Sequence, residues 1–195
     1  MITRNALAIV LAAGAAVRFG RQKLLADVNG VPMLERTIQS LLAAHISRVV
    51  VVLPSGTDYP TVSSLTAANV VVVANPDPSR GMFSSIQVAF LSAHRGTPLV
   101  ILPGDMPFVR AATIAFLFDA QGDAGGIVMP RYRGQRGHPV VMAPALRAPV
   151  IAAPSDANLR DVLHSSGVAI HEVEVDDGGV VRDVDIRSDL EPMSE

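Results

Sequence analysis

The sequence holds 195 residues, 49% of them hydrophobic and 17% charged, with no cysteine, no tryptophan and a formal net charge of −2. That length fits one large domain with a sizeable core, which needs no disulfide or metal staple. The composition excludes a disordered chain, a disulfide scaffold, thiolate metal sites, a cysteine nucleophile and a strongly basic nucleic-acid binder.

In chain order, apolar and β-branched runs recur at residues 6–11, 48–53, 70–73 and 99–102. Short, continuously apolar runs are the pattern of strands buried on both faces of a parallel sheet. The uncharged stretch at 6–17 is shorter than the roughly 20 residues that span a bilayer. With Arg4 before it and Ala13-Gly14-Ala15 within it, the stretch has the outline of a secretory leader. A buried first strand followed by a glycine turn is the alternative, and the rest of the chain favours it.

Helical stripes lie between the runs. They are Leu34, Ile38, Leu41 and Leu42, then Ile86, Ala89, Phe90 and Ala93 with Ser84 or Ser85 as N-cap, then Ile114, Leu117 and Phe118. This βαβαβα order predicts a three-layer α/β sandwich with right-handed crossovers. After about Gly122, strands are expected at 126–130 and 138–142, joined by a basic turn. A helix carrying Leu159, Val162 and Leu163 follows, then strands at 168–175 and 180–184. No repeat or linker is visible, so one domain over 1–195 is expected. Nine acids between 172 and 195 read mostly as a solvated tail.

Ligands of open parallel sheets bind beyond the carboxyl ends of the strands. Four segments follow strand ends here. Residues 11–23 are rich in Ala and Gly and carry Arg18, Arg21 and Lys23. Exposed backbone N–H groups with clustered cations suit a polyphosphate, and an ordinary βα turn is the competing reading. The spacing is neither a Walker A loop nor G-x-G-x-x-G. Asp105, in a Gly/Pro turn directly after 99–102, is placed to bind Mg²⁺ or to cap the turn. The segment 75–85 offers an amide and hydroxyls for a base edge, with a capped connection as the competing reading, and Arg133, Arg136 and His138 could hold an anion at a turn or form an exposed hairpin tip. The five histidines show no H-x-x-x-H spacing and no G-x-S-x-G is present, so catalytic zinc and a serine hydrolase elbow lack support.

Several motifs together resemble one family. Leu11-Ala12-Ala13-Gly14-x-x-x-Arg18-Phe19-Gly20-x-x-Lys23-Leu24-Leu25 resembles the signature loop of MobA-like nucleotidyltransferases. Gly30-Val31-Pro32-Met33-Leu34 matches the segment that opens their next helix. Asn75-Pro76-Asp77 with Gly81-Met82-x-Ser84-Ser85, Gly104-Asp105-Met106-Pro107 and Arg136-Gly137-His138-Pro139 are similar to the molybdenum cofactor cytidylyltransferases of that family, as is the segment 183–190.

The resemblance implies a Rossmann-like, mostly parallel sheet of the nucleotide-diphospho-sugar transferase type. Residues 1–121 would form the NTP-binding half and 122–195 the acceptor half. It implies a cytosolic enzyme that moves CMP from CTP to the terminal phosphate of molybdopterin and releases pyrophosphate, with a molybdoenzyme as recipient. A guanylyltransferase, an enzyme of sugar or alcohol phosphates, and a non-catalytic cofactor carrier are the alternatives. By position, Leu11, Ala12, Ala13 and Gly14 would contact base and ribose, and Arg18 and Lys23 the phosphates. Asn75, Ser84 and Ser85 would lie near the base, Arg136 and His138 near the acceptor, and Asp105 and Asp185 on Mg²⁺. Ala16 stands where the family usually has Ser, and Ile186-Arg187 where it has Thr-Pro. Cytidine users of the family tend to carry Leu-Ala-Ala-Gly and guanine users Leu-Ala-Gly-Gly, so the resemblance at Ala13 implies CTP rather than GTP.

Overall fold

The computed structural model describes residues 3–13, 23–57, 69–154 and 156–185. Its strands are β1 (Arg4–Leu11), β2 (Asp27–Val28), β3 (Val31–Pro32), β4 (Ile46–Pro54), β5 (Val70–Asn75), β6 (Leu99–Pro103), β7 (Ile127–Tyr132), β8 (Gln135–Arg136), β9 (Val140–Met142) and β10 (Ile170–Glu174). Its α-helices are α1 (Met33–Ala43), α2 (Met82–Leu91), α3 (Ala111–Ala124), α4 (Arg147–Ala152) and α5 (Leu159–Ser165). Among the described residues the main sheet runs β10-β7-β9-β6-β1-β4-β5, with β8 beside β7, and β2 pairs with β3 apart from it.

The central strand explains the layering. β1 pairs in parallel with β4 on one side and β6 on the other. Ala6, Ala8, Val10 and Ala12 enter one core, and Leu7, Ile9, Leu11 and Ala13 enter the other. A strand with a core on each face has no polar face, which is why its sequence is continuously apolar. Leu34, Ile38 and Leu41 of α1, with Ile114 and Leu117 of α3, close the first core. Phe83, Ile86 and Phe90 of α2, Val150 of α4, and Val162 and Leu163 of α5 close the second. The result is the expected α/β/α sandwich.

β4–β5 and β7–β10 are also parallel, while β9 runs antiparallel to both β6 and β7. The parallel strands therefore all end at one edge, and the segments that follow them meet there. No described helix is long and apolar enough to cross a membrane.

The local structure differs from expectation at three places. α2 begins at Met82 with Gly81 at its N-cap, so Ser84 and Ser85 lie inside the first turn rather than at the cap. Asn29 and Gly30, both at positive φ, close the short β2–β3 hairpin that the apolar runs did not signal. No strand forms at 180–184. Gly178–Val181 is a 3₁₀ turn, because the Asp177 side chain accepts the Gly179 N–H and bends the chain there. Beyond it, 182–185 lies outside the sheet and its Val184 N–H bonds to the Asp105 carbonyl at 3.0 Å.

Three of the acids from 172 onward are exceptions to the mostly solvated tail. Glu172 pairs with Arg131 and Arg136, Asp177 is buried, and Asp185 pairs with Lys23. Each found a partner on an element distant in sequence.

Candidate active site

The carboxyl end of β1 is tied to its neighbours. The Ala12 N–H donates to the Val52 carbonyl at 3.0 Å, and the Leu11 carbonyl accepts the Gly104 N–H at 2.9 Å. The side chains of Leu11, Ala12 and Ala13 are buried in the two cores, so the chain leaves β1 from a fixed point. Gly14 and Arg18, and with them most of the expected phosphate loop, lie outside the described residues.

Lys23 ends that loop, and it is the only lysine in the sequence. It opens a 3₁₀ turn, Lys23–Leu25, whose leucines pack against the first core. Its Nζ donates to Asp105 Oδ2 at 2.9 Å and to Asp185 Oδ1 at 3.0 Å. The lysine side chain is 11% exposed, against 27% for Asp105 and 57% for Asp185. Burial works against its charge, but hydrogen bonds and the charges of Asp105 and Asp185 outweigh that and hold its pKa above the ordinary lysine value.

Asp105 is held from two sides. The Gly104 carbonyl before it accepts a hydrogen bond from the buried Thr37 hydroxyl of α1 at 3.1 Å. The Asp105 carbonyl accepts from Val184, one residue before Asp185. Thr37 escaped sequence reading, since a threonine within an apolar helical stripe carries no distinguishing signal. Lys23 had one: it stands alone among sixteen basic residues.

His138 approaches the same place. Its N–H donates to the Val180 carbonyl at 2.7 Å, and its imidazole lies in the field of Asp105 and Asp183. Its Nδ1 is buried without a hydrogen-bond partner. Burial lowers its pKa, against a backbone contact to Ile101 and the two carboxylates, so the ring is neutral at pH 7.

The other expected residues are arranged differently. Asn75 is 1% exposed and donates to the hydroxyls of Ser84 and Ser85, both at 2.9 Å, while its carbonyl accepts the Asp77 N–H at 3.0 Å. These three side chains satisfy one another and fix the path from β5 into α2. Arg136 is held in an ion pair with Glu172 of β10, which Arg131 also joins at 3.3 Å. The structure thus brings together Lys23, Asp105, Asp185 and His138, and leaves Arg136 and the Asn75 triad outside that cluster.

Two carboxylates converge on one ammonium, so this point favours a cation. Among the described residues no group of three or more His, Asp or Glu forms a metal cage. A pair of hard oxygen donors fits an Mg²⁺-type ion that takes its remaining ligands from water and substrate phosphates.

A three-layer sandwich with its strand ends converging on such a cluster is of the nucleotide-diphospho-sugar transferase type. The model of the MobA-like NTP transferase domain matches residues 8–172, and the chain belongs to that nucleotidyltransferase family. It is 23% identical over 182 residues to the molybdenum cofactor cytidylyltransferase of Escherichia coli, covering 93% of this chain and 92% of that protein. It is 29% identical over 189 residues to the nicotine blue oxidoreductase of Paenarthrobacter nicotinovorans, covering 91% and 90%. Among solved structures, Rv0371c of Mycobacterium tuberculosis superposes with a TM-score of 0.74 at 28% identity over 95% of each chain. The same protein in complex with manganese superposes with a TM-score of 0.70 at 27% identity, over 96% of each chain.

Proposed function

We propose that this protein is a cytosolic cytidylyltransferase that moves CMP from CTP to the terminal phosphate of a molybdopterin-type acceptor. One observation carries the proposal: the sole lysine is clamped between Asp105 and Asp185 where the loop after β1 meets the turn after β6. The full-length similarity to a molybdenum cofactor cytidylyltransferase supports the choice of substrates. Residues 1–121 hold the nucleotide and 122–195 the acceptor, as one domain, and a molybdoenzyme is the recipient of the product.

In the reaction an acceptor phosphate oxygen forms a bond to the α-phosphorus of CTP. The bond from that phosphorus to the α,β-bridging oxygen breaks, and pyrophosphate leaves with its electron pair. Both reactants are anions, so positioning and charge neutralisation supply most of the rate. Lys23 turns its ammonium from the carboxylates to the phosphates and opposes the charge that grows there. Leu11, Ala12, Ala13 and Gly14 contribute backbone groups to base and ribose, and Arg18 holds the outer phosphates. Asn75, Ser84 and Ser85 shape the wall near the base. His138, neutral at pH 7, and Arg136 face the acceptor. An already ionised phosphate nucleophile needs no general base.

Asp105 and Asp185 would hold a divalent cation, Mg²⁺ in this proposal. Such an ion neutralises and orients phosphate oxygens. The manganese complex of Rv0371c supports a divalent cation in this fold.

Thermal unfolding with CTP, GTP, ATP or UTP, each with Mg²⁺ or with EDTA, tests the nucleotide. A ligand of the native state raises Tm by mass action. Selective, Mg²⁺-dependent stabilisation by CTP is expected. Selective stabilisation by GTP would transfer the proposal to the guanylyl branch, and no shift with any nucleotide would remove it.

A further inference from the structure

We propose that Asp177 is a positioning residue for this site. It clamps the start of the strap 178–185 to α3, and the strap sets where Asp185, Asp105 and His138 stand. The proposal rests on the functional reading above for the use of those residues, and on geometry alone for the clamp.

Asp177 is 4% exposed. Its Oδ2 accepts the Arg110 N–H at 3.0 Å and the Thr113 hydroxyl at 2.7 Å. Its Oδ1 accepts the Gly179 N–H at 3.0 Å and lies 3.4 Å from Arg110 Nε. A buried carboxylate is costly unless its oxygens are satisfied, and here both are. The bond to Gly179 alone would make a local Asx turn. The bonds to Arg110 and Thr113 reach 67 and 64 residues back to the start of α3, so this side chain joins two distant parts of the fold. The positive end of that 14-residue helix adds to the preference for a carboxylate.

From the clamp the strap is threaded closely. Gly179 lies so near the backbone of Phe108 and Val109 that a Cβ there would collide with it. Gly137 is under the same constraint from Val180. The Val180 carbonyl receives the His138 N–H, Arg182 lies over the Phe108 ring at 4.1 Å, and Val184 donates to Asp105. Val180 and Val184 are fully buried. Asp185 follows at once and pairs with Lys23. Asp177 itself does not touch that cluster; it acts through the strap.

The single lysine makes the test direct, because an amine-acylating reagent has one side-chain target in this chain. Asp177→Asn keeps the size of the side chain but replaces an accepting oxygen with an amide. Its Lys23 should acylate about tenfold faster than wild type, as the strap opens and Asp185 leaves the ammonium. Val150→Ala, a cavity in the opposite core, serves as a destabilised control whose unfolding free energy is measured beside that of Asp177→Asn. It should acylate at the wild-type rate. In the transfer assay Asp177→Asn should lower kcat with little change in the KM for CTP.

Unchanged acylation in Asp177→Asn would overturn the proposal, as would equal acceleration in Val150→Ala. If Asp177→Asn does not fold, Thr113→Val removes one arm of the clamp and should accelerate acylation in the same direction, about threefold. Wild-type acylation in Thr113→Val would then overturn the proposal. Wild-type protein without transfer activity counts against the cytidylyltransferase reading instead. Acylation alone then decides whether Asp177 holds the strap against Lys23.

Discussion

The Nζ of Lys23 lies 2.9 Å from Oδ2 of Asp105, although 82 residues separate them in the chain. The same ammonium is 3.0 Å from Asp185, so it neutralises the two carboxylates that would hold a cation in the proposed function. In the proposed function lysine and free metal would compete for the same two carboxylates. Lys23→Met should bind Mn²⁺ without nucleotide about tenfold more tightly than wild type, since a like charge has been removed. It should also lose transfer activity by about 10²–10³-fold, the usual loss of a preorganised charge. Electron paramagnetic resonance of free Mn²⁺ measures the first effect. Weaker Mn²⁺ binding by the variant would refute the competition.

The Asn75 triad is structural before it is anything else. Asn75→Ala removes the amide donor to two buried serine hydroxyls and the acceptor of the Asp77 N–H, while the Ser84 hydroxyl keeps its bond to the Gly81 carbonyl. The expected loss is about 1–3 kcal/mol of unfolding free energy. Urea unfolding checks this, and wild-type stability in the variant would show that water replaces the amide.

His138 gives the stability a pH dependence. Its folded pKa is pushed below the ordinary value of 6.5, chiefly by burial. Between 6.5 and that lower value the unfolded chain takes up a proton that the folded chain refuses. Stability therefore falls as pH drops through this window and is restored above it. With EDTA present, His138→Asn should show a shallower loss of unfolding free energy below pH 6.5 than wild type. Identical slopes in the two proteins would assign the dependence to other groups.

What was legible in the sequence followed from burial. β1, β4 and β6 have cores on both faces, so they appear as unbroken apolar runs, and Asp105 stands out because it lies in the turn just after one of them. The strap misled for a related reason. Val180 and Val184 are apolar and buried, which resembles a strand, but they are buried by crossing the sheet edge rather than by joining it. Long-range pairing left no local trace. Nothing near Arg136 announces Glu172, and Asp177 sits among acids that look alike in sequence. The convergence of Lys23 and Asp185 spans 162 residues and appears only once the chain has folded.

In the proposed function the Lys23–Asp105 cluster carries out nucleotidyl transfer. The most direct test is pyrophosphate release from CTP in the presence of molybdopterin and Mg²⁺, by wild type and by Asp105→Ala, with both shown to be folded. Wild type should release pyrophosphate and stop with EDTA, and Asp105→Ala should release it about 10³-fold more slowly. Release by Asp105→Ala at the wild-type rate would contradict the proposed function.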